Sequence, residues 1–267
     1  MNYVQLYWRF FVVFIKTKLE YRFGFFMEVI GHLLYYSILY LEIWVLFNKF
    51  HTINGWSYYE VMFLYNMNLF TYGLCGVILW APMRQLESMV QTGTFDGLLV
   101  KPIPSFLHLI FRHINPAFFG HVILGGIVFA VCLGKLEIEW SVTKGILFII
   151  VLAGAFLIQC GIMVLAGSVS FWIIKSTPVI DTMIYGFRSF INYPLSIYKV
   201  GIQILLTFII PYAFINFYPS QLFLGKSDQT SFMPGLEYGA PIVGITVFAL
   251  AMWFWKVSVN KYQSTGS

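Results

Sequence analysis

Six long apolar runs decide what this chain can fold into. They lie near residues 24–47, 58–81, 114–134, 145–174, 200–224 and 239–257, each close to or above the ~20 residues that a helix needs to cross a bilayer. Lipid satisfies no backbone N–H or C=O, so only helices and closed barrels span it. Barrel strands are about 10 residues long and alternate with period two. The runs here are longer and do not alternate. The chain therefore reads as an all-α polytopic membrane protein with six transmembrane helices, a single transmembrane domain over 1–267. Composition agrees: 10% of residues are charged and 59% hydrophobic, where a soluble domain carries about 25% charged.

Details modify this plan. Residues 1–22 are apolar but interrupted, with Gln5, Arg9, Lys16 and Glu20 falling along one helical face, which predicts an amphipathic helix in the membrane interface. The run 145–174 is long enough to tilt or to project beyond the hydrocarbon. Pro211 and Pro219 predict a kink in 200–224, with a re-entrant end as one outcome. Residues 175–199 mix Lys175, Asp181, Arg188 and Lys199 with aromatics and read as an interfacial or cytosolic segment. On that plan 12 Lys and Arg fall on the side of the termini and 4 (Lys49, Lys135, Lys144 and Lys226) on the other. The excess places both termini in the cytosol of a bacterial cell, together with the loop after the second run.

Chemistry-bearing patterns are few. Cys75, Cys132 and Cys160 lie in separate apolar runs without ligand spacing, as expected of buried free thiols. "SQLFLGKS" (220–227) approaches a phosphate-binding loop but lacks the first glycine and a preceding strand. His113 and His121, and Glu28 and His32, share helix faces, yet no helix supplies the third ligand that a metal site needs. No bound metal or cofactor is expected, no catalytic set assembles, and nothing points to nucleic acid. Glu42 is the most conspicuous ionisable group inside a run, about 8 Å from its outer end at helical rise. Glu42, Asn66, Asn68 and Gln203 are candidates to line a pathway, although neutral polar groups also serve as interhelical hydrogen bonds.

The stretch "LESMVQTGTFDGLLVKPI" (86–103) stands apart, with glycines, an aspartate and a lysine between greasy runs. With "YPLSIYK" (193–199), "IIPYAFINFYPSQLFLG" (209–225) and the six-run layout, it resembles the ABC-2 type permeases, membrane subunits of bacterial ABC exporters. The resemblance covers nearly the whole chain. It implies a cytosolic coupling segment after span two, and a separate cytosolic ATPase that binds ATP and Mg. It also implies a second permease subunit, identical or related, which completes a pathway in the lipid. Carried onto this sequence, Arg84, Glu87, Gly93, Thr94, Asp96, Gly97 and Lys101 would meet the ATPase. A plain solvated linker is the alternative for 89–106. An ion-gradient-driven secondary transporter and a non-transporting assembly factor are the rival functions; no inverted repeat or paired intramembrane charge favours the former.

Overall fold

The computed structural model describes Val12, Lys16 and residues 22–112, 114–226 and 232–263. It is helical throughout, and among the described residues no strand forms. The amphipathic helix read over 1–22 lies outside the described residues, apart from Val12, Lys16 and Arg22.

Helix α1 (Arg22–Lys49) is long, apolar and mostly exposed. A tight turn follows, in which Asn54 and Gly55 both adopt positive φ (48° and 79°) and Ile53 and Trp56 exchange backbone hydrogen bonds. Only residues tolerant of the left-handed region close a turn this way. Ser57 N–H then donates to Glu60 Oε2 at 2.7 Å, starting α2 (Tyr58–Gln91). Helix α2 is the central element: it is largely buried and runs through Pro82 well past the expected end at 81. Gly93 (φ 69°) turns the chain out of it. The short α3 (Asp96–Leu99) and α4 (Ser105–Arg112) lead to α5 (Phe119–Lys135).

Helix α6 (Val142–Ser168) and the last helix, α10 (Ala240–Lys261), pack side by side and parallel. Their contact rests on glycine. A Cβ built on Gly154 would lie 2.5 Å from Ala240 O, and one on Gly161 would lie 2.8 Å from the Val247 side chain. In a bilayer, apolar area gives helices little reason to associate, whereas small residues let their backbones approach and gain dispersion. Because α10 begins opposite Gly154, the first turns of α6 stand beyond it.

The run 175–199 departs from expectation. Residues 177–192 form a broken helix, α7, assembled from Thr177–Asp181, a π turn at Thr182–Gly186 and two further short pieces. Its start is fixed to the far end of α2 by the Arg84–Asp181 ion pair. Beyond its end, Ser196 O accepts from Asn54 Nδ2 at 3.2 Å, at the turn between α1 and α2. The segment thus runs from one end of the bundle to the other rather than lying along one surface.

The run 200–224, expected as one kinked span, is a bent pair. One leg is α8 (Val200–Ile204) extended by a π turn to Ile209; the other runs from Tyr212 into α9 (Phe217–Leu224), at 77° to the first. Pro211 marks the break. The first leg begins and the second ends near the Asn54–Gly55 turn: Ser196, just before the first, accepts from Asn54, and Lys226 Nζ, just after the second, donates to Gly55 O at 2.6 Å and pairs with Glu60 at 3.1 Å. The Tyr212 hydroxyl, near the apex, donates to Met183 O at 2.8 Å.

Candidate functional site

Two features concentrate polar chemistry. The first is the tip formed by residues 92–104 at the end of α2. Thr92 Oγ1 donates to Ser88 O at 2.7 Å and meets Thr94 Oγ1 at 3.0 Å, closing the helix end around Gly93. Phe95 is fully buried and packs edge-on against Phe171, Trp255 and Tyr262, so the tip is anchored to the ends of α6 and α10. Leu98 is buried beside it, while Gly97, Leu99, Val100 and Lys101 are exposed, Val100 at 82%. Asp96 is half-buried.

Arg84 and Glu87 have internal partners. Arg84 binds Asp181, and Glu87 Oε2 accepts from Ser176 Oγ (3.0 Å), Thr177 N (2.5 Å) and Thr177 Oγ1 (2.7 Å). A carboxylate at this point satisfies N–H groups at the start of α7 and favours its helix dipole. Gln91 adds a hydrogen bond to Ile174 O. The proposed coupling residues therefore divide. Arg84 and Glu87 tie α2 to α7, Gly93 and Thr94 shape the turn, and Asp96, Gly97 and Lys101 lie on the tip itself.

The second feature lies inside the bundle, around Arg188 of α7. Its side chain is 7% exposed and no carboxylate pairs with it among the described residues. Nε donates to Asn68 Oδ1 at 3.0 Å, the guanidinium lies 3.6 Å from the centre of the Tyr72 ring, and Tyr36 lines the same cavity. Asn68 Oδ1 also accepts from Gln159 Nε2 (3.1 Å), and Asn68 Nδ2 donates to Asn192 Oδ1 (3.3 Å). Inserting an arginine at a helix centre costs about 2.5–3.5 kcal/mol on translocon scales. A desolvated cation–π contact contributes about 2 kcal/mol and a hydrogen bond to a charged group about 1.5–3. Neutral partners are thus sufficient to hold the cation in place.

A cavity of about 180 Å³ opens against this cluster, lined by Tyr35, Tyr36, Leu39, Tyr65, Tyr185, Arg188, Ser189 and Asn192. Among the described residues the buried Tyr65 hydroxyl has no hydrogen-bond partner, a state that ordinarily costs about 1–3 kcal/mol.

The four candidate pathway residues are not brought together. Asn68 backs Arg188, whereas Asn66 is locked between the Tyr40 hydroxyl (2.8 Å) and Gly125 O (2.9 Å). Gln203 donates to Tyr198 O at 2.8 Å near the Asn54 end. Glu42 is exposed on α1, about one turn beyond Leu39, with the Tyr193 hydroxyl within reach. Arg188, Tyr36, Tyr65, Gln159 and Asn192 were not among the candidates. A usable signal existed: between Pro178 and Lys199 the only charges are Asp181 and Arg188, in an otherwise apolar, aromatic and neutral stretch.

Elsewhere, His32 and His121 approach with Nδ1 atoms 3.4 Å apart, His113 lies outside the described residues, and no group of three metal-capable side chains forms among those described. Gly225 (φ 67°) ends α9, so the region resembling a phosphate loop is a helix cap.

The profile of a family described as "ABC-2 family transporter protein" matches residues 33–266. No curated protein and no solved structure matches the chain. The match covers every described helix from the middle of α1 onward, and with a helical fold that has five to six candidate spans among the described residues it identifies this chain as a member of the ABC-2 family transporter proteins, a multi-pass membrane permease of an ABC transporter.

Proposed function

We propose that this chain is the permease subunit of an ATP-binding cassette exporter, driven by a separate cytosolic ATPase that docks on the 92–104 tip. The observation that carries this reading is the construction of the tip. Phe95 and Leu98 root it under the ends of α6 and α10, while Gly97, Leu99, Val100 and Lys101 face outward. Arg84 and Glu87 join the adjacent end of α2 to the start of α7. A push on the exposed residues would therefore reach four helices through packed contacts. ATP and Mg belong to the partner, and a second permease, identical or related, completes the pathway.

In this reading α1, α2, α5, α6, α7 and α10 cross the membrane, and the bent pair 200–224 is re-entrant from outside. Both its ends meet the Asn54–Gly55 turn, while α7 joins the two ends of the bundle. Lys199 then lies outside and Arg188 within. The remaining Lys and Arg number 10 toward the termini and 5 opposite, an excess that still favours cytosolic termini in a bacterial cell membrane.

The test is Asp96→Lys and Gly97→Val. A Cβ on Gly97 meets nothing within 4 Å and its φ is unremarkable, so the valine alters the surface and spares the fold. Both variants should insert and fold like wild type but lose ATPase co-purification or substrate-stimulated hydrolysis. Unchanged binding and stimulation in both would reduce 92–104 to a linker.

A further inference from the structure

We propose that the cavity between α1 and the middle of α7 binds the oxyanion head, phosphate or carboxylate, of an anionic amphiphile, with Arg188 as its cationic anchor. The inference rests on the reading of α1 and α7 as membrane-crossing helices, and is independent of ATPase docking.

The chemistry of the lining points to an anion. Arginine carries five N–H donors; here Nε is used on Asn68. The side chain lines the cavity with donors to spare. Tyr65, on the same wall, holds a buried hydroxyl that no group among the described residues satisfies. Asn192 spends its carbonyl on Asn68, which turns its amide N–H groups to other use. A guanidinium, a hydroxyl and an amide on one small cavity offer donors, and no carboxylate lines it. An oxyanion accepts from all three, and charge-assisted bonds of this kind are the strong ones. Glu42, the nearest acid along α1, lies beyond Leu39 on the outer side and is not among the residues that line the cavity.

Size and access narrow the ligand. About 180 Å³ is below the ~300–1,000 Å³ of pockets that enclose whole drug-sized ligands, so the cavity takes a head group and leaves the rest outside. Tyr35, on its rim, is 61% exposed, and Leu34, Ile38 and Leu41 of α1 present apolar surface beside it. Arg188 stands seven residues from Asp181 at one end of the bundle and eight from Ser196 at the other. An apolar tail lying along α1 suits that depth; a free hydrated anion does not.

The test uses the full chain without ATPase, in neutral detergent, by native mass spectrometry. The probes are phosphatidic acid, diacylglycerol with the same tails, and inorganic phosphate. Wild type should retain phosphatidic acid and not diacylglycerol. Arg188→Gln should weaken retention about tenfold or more, as loss of a charged hydrogen-bond donor implies, and Arg188→Lys should restore part of it. Tyr65→Phe removes only an unpartnered hydroxyl, so the protein should fold and bind several-fold more weakly; it decides the matter if Arg188→Gln does not fold. Arg188-dependent binding of inorganic phosphate without phosphatidic acid would keep the oxyanion site and assign it to a soluble solute, overturning the amphiphile. Phosphatidic acid held equally by wild type and Tyr65→Phe, equal retention of diacylglycerol, or no binding of any probe would overturn the site. Failure of ATPase docking in the tip variants leaves this result unaffected, so the two proposals fail separately.

Discussion

Gly154 offers a quantitative test of how the bundle is held together. A methyl group there would meet Ala240 O at 2.5 Å, Ala240 C at 2.6 Å and Pro241 N at 2.6 Å. Favourable carbon contacts lie near 3.5–4.0 Å, so α6 and α10 must part by roughly 1 Å at this point. The obstruction is backbone on both sides and cannot rotate away. Gly244 makes the reciprocal contact with the Gly154 carbonyl, so the separation spreads along the interface. Overpacking of this kind costs about 1–3 kcal/mol, against a helix-propensity gain of at most ~1 kcal/mol for Ala over Gly. The balance for Gly154→Ala is about 0–2 kcal/mol destabilising against wild type, a fall in Tm of up to roughly 8 °C at ~2–4 °C per kcal/mol, and the full overpacking cost of about 1–3 kcal/mol shows against a variant that gains the same propensity without a clash. Gly154→Leu should fall further. Gly126→Ala is the control, because a Cβ there meets nothing within 4 Å. Thermal unfolding in detergent micelles, followed by fluorescence-detected size exclusion, measures all three. A Gly154→Ala protein as stable as Gly126→Ala would refute the close α6–α10 contact.

Other outcomes follow from the contacts at the two ends of the bundle. Glu87→Ala removes the acceptor for Ser176 and Thr177 and should cost about 1–2 kcal/mol, as loss of a helix cap does, read as a lower Tm in the same assay. In a background with the native cysteines replaced, Lys199→Cys and Lys226→Cys should label with an impermeant maleimide from outside intact cells, and Lys175→Cys only after permeabilisation. Labelling of Lys175→Cys from outside would undo the assignment of α7 as a crossing.

Much of this fold is legible in the sequence because hydropathy is a local property. The runs that became α1, α2, α5, α6 and α10 are long, continuous and apolar. The apolar run stops at 81 while α2 continues to Gln91, because Arg84, Glu87 and Gln91 carry no hydropathy signal. They stay helical because Asp181, Thr177 and Ile174 receive them. Segment 177–199 is harder still. It is built from short α, π and 3-10 pieces, and its central charge is tolerated through Asn68, a partner 120 residues away. No window average contains that partner. Asn68 itself could be picked out as polar within a run, but its neighbours could not. For 200–224, Pro211 announced the break, whereas the return of both legs to one turn depends on Asn54 and Lys226, which are remote in sequence.

The central claim is that residues 92–104 receive the ATPase, and in-cell photo-crosslinking tests it most directly. A photoreactive amino acid is placed at Val100, which is 82% exposed on the tip, with Trp44, toward the opposite end of α1, as the control. Val100 should capture a protein with a Walker A motif, and Trp44 should not. Capture of that ATPase from Trp44, or its absence from Val100 in a cell where the complex assembles, would contradict it.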